Sequence, residues 1–135
     1  MGVAQTYEAL AQHLEGLGLG LPVAWPNVRG YGDDAPETGY LRMTFVPLDG
    51  FRGSLGGLSV RTGIMQVDVM IPDGDGLVSG LQMADQVAAH FMDGDRYSFG
   101  GQEVLVDGPP VIGPGIHEKP FYQIPVTIRW RMCNG

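Results

Sequence analysis

The stretch GIMQVDVMIPDGDGLVSGLQMADQVAAHFMD, Gly63 to Asp93, sets the strongest limit on what this chain can fold into. Its first residues alternate: Ile64, Gln66, Asp68 and Met70 fall on one side, and Met65, Val67, Val69 and Ile71 on the other. A period of two with four apolar residues on one face predicts a half-buried strand. Pro72-Asp73-Gly74-Asp75-Gly76 then breaks the pattern, because proline and glycine interrupt regular structure and aspartate tolerates turns. After the break the period becomes helical. Leu77, Leu81, Ala84, Ala88 and Phe91 share one face, with Val87 beside them. An aspartate of the turn is expected to cap this helix at its start, and Gly94 to cap its end. A strand that turns tightly into an amphipathic helix needs a sheet for the helix to lie on.

The rest of the chain reads as that sheet and a second helix. Val3 to Leu17 carries an apolar stripe of Val3, Tyr7, Leu10, Ala11, Leu14 and Leu17, and Gly16, Gly18 and Gly20 end it. LPVAWPNV is a short extended piece whose Pro26 suits an edge or a strand end. Residues 29–39, rich in Gly, Pro and Asp, are expected to be a polar loop. Tyr40 to Leu48 alternates again, with Leu41, Met43 and Phe45 on one face. Asp49 to Thr62 holds four glycines and little periodicity, and reads as a long hairpin loop or arm, with Leu58 to Arg61 able to join the next strand. Short strands are expected at Arg96–Phe99 and Glu103–Val106; Gly108-Pro109-Pro110 bends the chain, and Val111-Ile112 is followed by a Gly-Pro-Gly loop to Lys119. Phe121 to Met132 is the strongest strand: Tyr122, Ile124, Val126, Ile128, Trp130 and Met132 line one face, and Pro125 predicts an edge position or a bulge. The order α-β-β-β-α-β-β predicts an α+β fold, a mixed, mainly antiparallel sheet with two helices on one face.

Length and charge narrow the function. A chain of 135 residues suits one domain, able to bury roughly two thirds of its unfolded surface. The single cysteine, Cys133, has no internal partner, which points to a reducing compartment. No apolar run approaches the ~20 residues that span a bilayer, and no secretion signal is evident at the N-terminus. Fifteen acidic residues against eight basic argue against tight nucleic-acid binding through phosphate contacts.

Chemical motifs are sparse. Asp73-Gly74-Asp75-Gly76 begins like a calcium loop, but position twelve is Ala84, where a bidentate Glu is required. His13, His90 and His117 lack metal-ligand partners at close spacing and read as separate surface or partly buried residues. No nucleophile elbow, phosphate loop or dinucleotide fingerprint is present. No catalytic, metal or cofactor residue is assigned, and no cofactor is expected. An enzyme using Cys133 or His90, and a small-ligand binding module, stand as alternatives from other classes.

The order of elements resembles the tail-terminator, or tail-completion, proteins of long-tailed bacteriophages and related gene-transfer particles. The resemblance is carried by the helix ending Leu17-Gly18-Leu19, LPVAWPN at Leu21–Asn27, YLRMTFVP at Tyr40–Pro47 and RTGIMQVDVMIPDGDG at Arg61–Gly76. LQMADQVAAHF and FYQIPVTIRWRM complete it. The resemblance implies a non-enzymatic virion protein, made in the host cytoplasm, that forms a ring of about six copies on the head-proximal end of the tail tube. It implies contacts with the tube protein and with the head-tail connector, and DNA passing through a central hole. Neighbouring neck and head-closure proteins share the size and make-up, and are the alternative within the virion. Phe51, Arg52, Leu55 and Arg61, in the Gly-rich arm at 49–62, are the expected interface residues, because partner contacts would offset the cost of ordering glycines.

Overall fold

The computed structural model describes residues 2–27, 39–48, 59–74 and 76–134, with the backbone course alone at 59, 60, 133 and 134. Among them are two helices, α1 (Val3–Glu15) and α2 (Val78–His90), and eight strands. The strands are β1 (Val23–Ala24), β2 (Tyr40–Pro47), β3 (Ser59–Pro72), β4 (Arg96–Phe99), β5 (Gln102–Val106), β6 (Val111–Ile112), β7 (Ile116–Glu118) and β8 (Phe121–Asn134). They form one mixed, curled sheet in the order β1-β2-β3-β8-β5-β4, with β6 and β7 also on β8. Only β1 on β2 is parallel. The expected α+β class holds. Five strands follow α2 rather than two, because 96–99, 111–112 and 116–118 all find pairing partners.

Parity of the strands decides the two faces. Val67 lies opposite Met43 on one side and Val126 on the other; Val69 opposite Leu41 and Ile124; Met65 opposite Phe45 and Ile128. Residues paired across strands point to the same face, so this row is one continuous apolar surface, and all but the half-buried Phe45 are buried. Both helices cover that face. α1 lies over β4 and β5, and α2 over β3, β8 and β6. Ala84, Val87 and Phe91 of α2 join Leu10 and Leu14 of α1 in the same core.

Two glycines set how close the layers come. Gly80 sits on the buried face of α2, where a methyl group would strike Ile71 and Ile124. Gly63 lies opposite Trp130. A side chain there would meet the Trp130 indole and the Val46 carbonyl. That indole stacks parallel to Phe45 at a centroid distance of 5.3 Å, and Phe45 takes the edge of Tyr7 from α1.

Four local expectations change. β8 is central rather than an edge. Pro125 is tolerated there because its carbonyl, accepting from the Gly113 amide, points to the side where β6 has ended and β7 has not begun. A residue's N and C=O share a side in a strand, so the missing N–H falls in that gap. α1 stops at Glu15, with Gly16 as its C-cap. α2 ends in Phe91, not Gly94; Gly94 instead takes a positive φ of 89° in a turn and donates to the Val106 carbonyl. No aspartate side chain among the described residues caps the start of α2, since Asp73 faces His117 and the N-cap is the exposed Leu77; Asp75 lies outside the described residues.

Candidate assembly surfaces

The face of the sheet away from the helices is built from the other parity. Arg42, Asp68 and Pro125 stand in one row, Thr44, Gln66 and Thr127 in the next, then Val46, Ile64 and Arg129. Asp68 is only 1% exposed. A buried carboxylate is costly unless paired and hydrogen-bonded. Here the Arg42 Nε donates to Oδ2 at 3.2 Å, and the Gln66 amide to Oδ1 at 2.7 Å. The rest of the Arg42 guanidinium reaches Glu118 of β7 at 3.3 and 3.4 Å. Burial works against the Arg42 charge, but the Glu118 and Asp68 carboxylates outweigh it and raise its pKa. The network ties β2, β3 and β7 together across the open face.

The remaining arginines of this face differ from one another. Arg96 is answered by Glu103 at 2.6 Å. Arg129 and Arg131 make no ion pair among the described residues, and the Arg131 Nε is shielded from water without an acceptor. They stand opposite Ile64 and Thr62, toward the start of β3. Arg61, read as part of the arm or as already joining the next strand, is a residue of β3, exposed and opposite Met132. Phe51, Arg52 and Leu55 lie outside the described residues. Arg61 therefore shares the face of Met132, on the helix side of the sheet, and not the open face that carries Arg129 and Arg131.

The far end of the β3–β8 ladder is apolar. A cleft of about 260 Å³ is lined by Pro72, Asp73, Gly74, Gly76, Leu77, His117 and Tyr122. Leu77, Val78 and Ile116 are exposed beside it. The His117 Nδ1 lies 3.1 Å from the Asp73 Oδ1.

The histidines were expected to be separate, yet two of them meet. His13, in the last turn of α1, stacks on His90, the last residue of α2, at 3.9 Å between ring centroids and 13° between planes. Tyr97 stacks on His13, also at 3.9 Å. Each imidazole Nε2 lies against the other residue's carbonyl, at 2.6 and 2.5 Å. A carbonyl only accepts, so both rings carry a proton on Nε2, and each donates to a carbonyl at the end of the other helix that also accepts a second bond, from the Gly16 amide at His13 and from the Tyr97 hydroxyl at His90. Desolvation is the largest influence on His13 and lowers its pKa. Burial and the neighbouring Asp95 push the Tyr97 phenol up, and its hydroxyl lies 3.1 Å from the Asp95 Oδ2. His90, considered as a general base, thus commits Nε2 to holding two helices together. The Cys133 side chain lies outside the described residues. No group of three or more metal-ligating side chains occurs among the described residues.

Comparison with known proteins places these surfaces in context. The family model described as "Phage tail terminator protein" matches residues 5–130. No curated protein matches the chain. One solved structure is similar over 96% of this chain and 91% of its own, at 26% identity and a TM-score of 0.71.

Proposed function

The chain belongs to the phage tail terminator family, and we propose that about six copies form a ring that caps the head-proximal end of the tail tube. Family membership makes it a structural protein of the phage tail, and the match across residues 5–130 is the observation that carries the reading. The ring stops tube growth at its proper length, offers its other side to the head-tail connector, and lets DNA through its central hole. Two features support this. The net charge of −7 suits a passage along which DNA slides without adhering. A chain with separate polar, basic and apolar surfaces on one rigid sheet suits a subunit that meets several neighbours at once.

The segment at 49–58, between β2 and β3, is the part of the ring that engages the tube, with Phe51 and Leu55 as apolar anchors and Arg52 beside them. Arg61 stands at its root on β3. Ordering its glycines costs roughly 1–2 kcal/mol per residue, which contact with the tube offsets. Electron microscopy of particles made without this protein, complemented in trans, tests the reading. Wild-type protein should restore tails of uniform length joined to heads. Shortening Gly53 to Gly57, or Phe51→Ser, should leave the domain folded and give overlong or headless tails. Normal tails in the absence of the protein would defeat the capping role. Normal tails from the shortened variant alone would remove the arm from the tube contact.

A further inference from the structure

The two helices and the open face of the sheet differ in charge: the helices carry carboxylates alone, and the open face carries arginines together with Asp68, Glu103 and Glu118. Neither helix contains a lysine or arginine; their formal charges are Glu8, Glu15 and Asp85, all exposed. On α1 the outward stripe is Ala4, Glu8, Gln12 and Glu15, at successive helical turns. The open face of the sheet, on the opposite side of the molecule, carries Arg42, Arg96, Arg129 and Arg131. Arg42 and Arg96 are answered within the chain. Arg129 and Arg131 are not, and the shielded Arg131 Nε wants an acceptor that no described residue provides. Asp107, next to Arg129 across the β5–β8 ladder through its backbone amide, makes no ion pair with it.

We propose that the open face around Arg129 and Arg131 docks on the outer stripe of α1, Glu8 and Glu15, of a second copy of this chain. The proposal rests on the ring reading above and specifies which surfaces meet within the ring. Its donor and acceptor surfaces lie on opposite sides of one subunit, so the contact is head-to-tail, the kind that repeats around a closed ring. The spacings are compatible. Residues two apart on a strand are separated by about 7 Å and residues seven apart on a helix by about 10 Å, a difference that two arginine side chains span. Guanidinium groups prefer carboxylates in such fork-shaped contacts. Val46, 40% exposed and in the same row as Arg129, gives the contact an apolar centre. A second copy is favoured over DNA as the occupant because the chain as a whole carries −7, and its helix layer is the uniformly acidic surface that two free arginines fit.

The test uses two full-length variants, Arg129→Glu with Arg131→Glu, and Glu8→Lys with Glu15→Lys. Association is read by sedimentation and native mass spectrometry, on tail tubes where the free chain stays monomeric. Each variant alone places like charges across every contact and should associate at least tenfold more weakly than wild type. An equal mixture should recover, because alternating copies restore opposite charges at every contact. The chain carrying all four changes should recover too. Circular dichroism should show both variants folded, since Glu8, Glu15 and Arg129 are exposed; Arg131 is half-buried, so Arg129→Glu alone, which should weaken association in the same direction, serves as the control for folding. If wild type fails to form a ring even on tubes, the ring reading falls. If wild type forms one and both variants match it, this contact alone is wrong. Retention of a short DNA duplex by wild type, lost in Arg129→Glu with Arg131→Glu, would give the surface to phosphates instead and overturn the proposal.

Discussion

The two faces of β3 come from one run of residues and are solved by different physics. On the helix side, Met65, Val67, Val69 and Ile71 need nothing but cover, and two amphipathic helices give it. On the open side, Asp68 is as buried as its apolar neighbours but lives on specific partners, Arg42 and Gln66, with Glu118 holding the arginine. The first face tolerates any close-packed filling of similar volume. The second tolerates little, because a buried charge that loses its partner keeps its full desolvation cost. The same strand therefore has one face specified by pattern and one specified by identity.

Substitutions can break each side in turn. Phe91→Ala should have the largest effect: the ring is fully buried, so its loss should cost about 3–5 kcal/mol, read as a lower midpoint in thermal or urea unfolding. An unchanged midpoint would mean that the helix face is not the main core. Arg42→Met should come next, toward the low end of about 3–5 kcal/mol, since Arg42 is itself 34% exposed. The double change Arg42→Met with Asp68→Leu should recover most of that loss. If the double variant is no better than the single, Asp68 is not stranded by removing the arginine.

Gly63→Ala should cost about 1–3 kcal/mol through overpacking against Trp130, despite adding only a methyl group. Near-ultraviolet circular dichroism should show the indole displaced. The smallest effect belongs to the His13–His90 pair. The folded-state pKa of His13 is depressed, so in the window below its ordinary value of 6.5 the unfolded chain binds more protons. Stability from this group is present above that value and declines as pH falls through the folded pKa. Partial exposure screens the effect. His13→Gln should flatten the dependence of melting midpoint on pH between neutral and mildly acid solution; a slope equal to wild type would place the sensitivity elsewhere.

What the sequence displayed follows the same division. The apolar rows of β2, β3 and β8 were legible because side-chain parity is a local property, and parity alone assigns both helices to one side. Partnership is not local. Arg42 and Asp68 are 26 positions apart, Arg42 and Glu118 are 76, and His13 and His90 are 77. Nothing near any of them in the chain marks the other. Pro125 was misplaced for a related reason: proline reports a missing donor, but whether that gap lies at an edge or between β6 and β7 depends on what pairs alongside. Gly80 carries no such local signal, although an added methyl group there would strike Ile71 and Ile124. The arm residues Phe51, Arg52 and Leu55 lie outside the described residues, whereas Arg61 belongs to β3, as the reading of Leu58 to Arg61 as the start of a strand allowed.

The position of β8 has a consequence for how the molecule is made. It comes last of the eight strands in sequence but lies at the middle of the sheet, pairing with β3 along its whole length and with β5, β6 and β7 on its other side. During synthesis the β2–β3 and β4–β5 hairpins can form early, but until β8 emerges they have no common neighbour and both present bare edges. The nascent chain is most prone to mispairing in that interval. Joining of the two halves is then a single late event, and the contact proposed through Arg129 and Arg131 has to wait for it, because both arginines arrive on the closing strand.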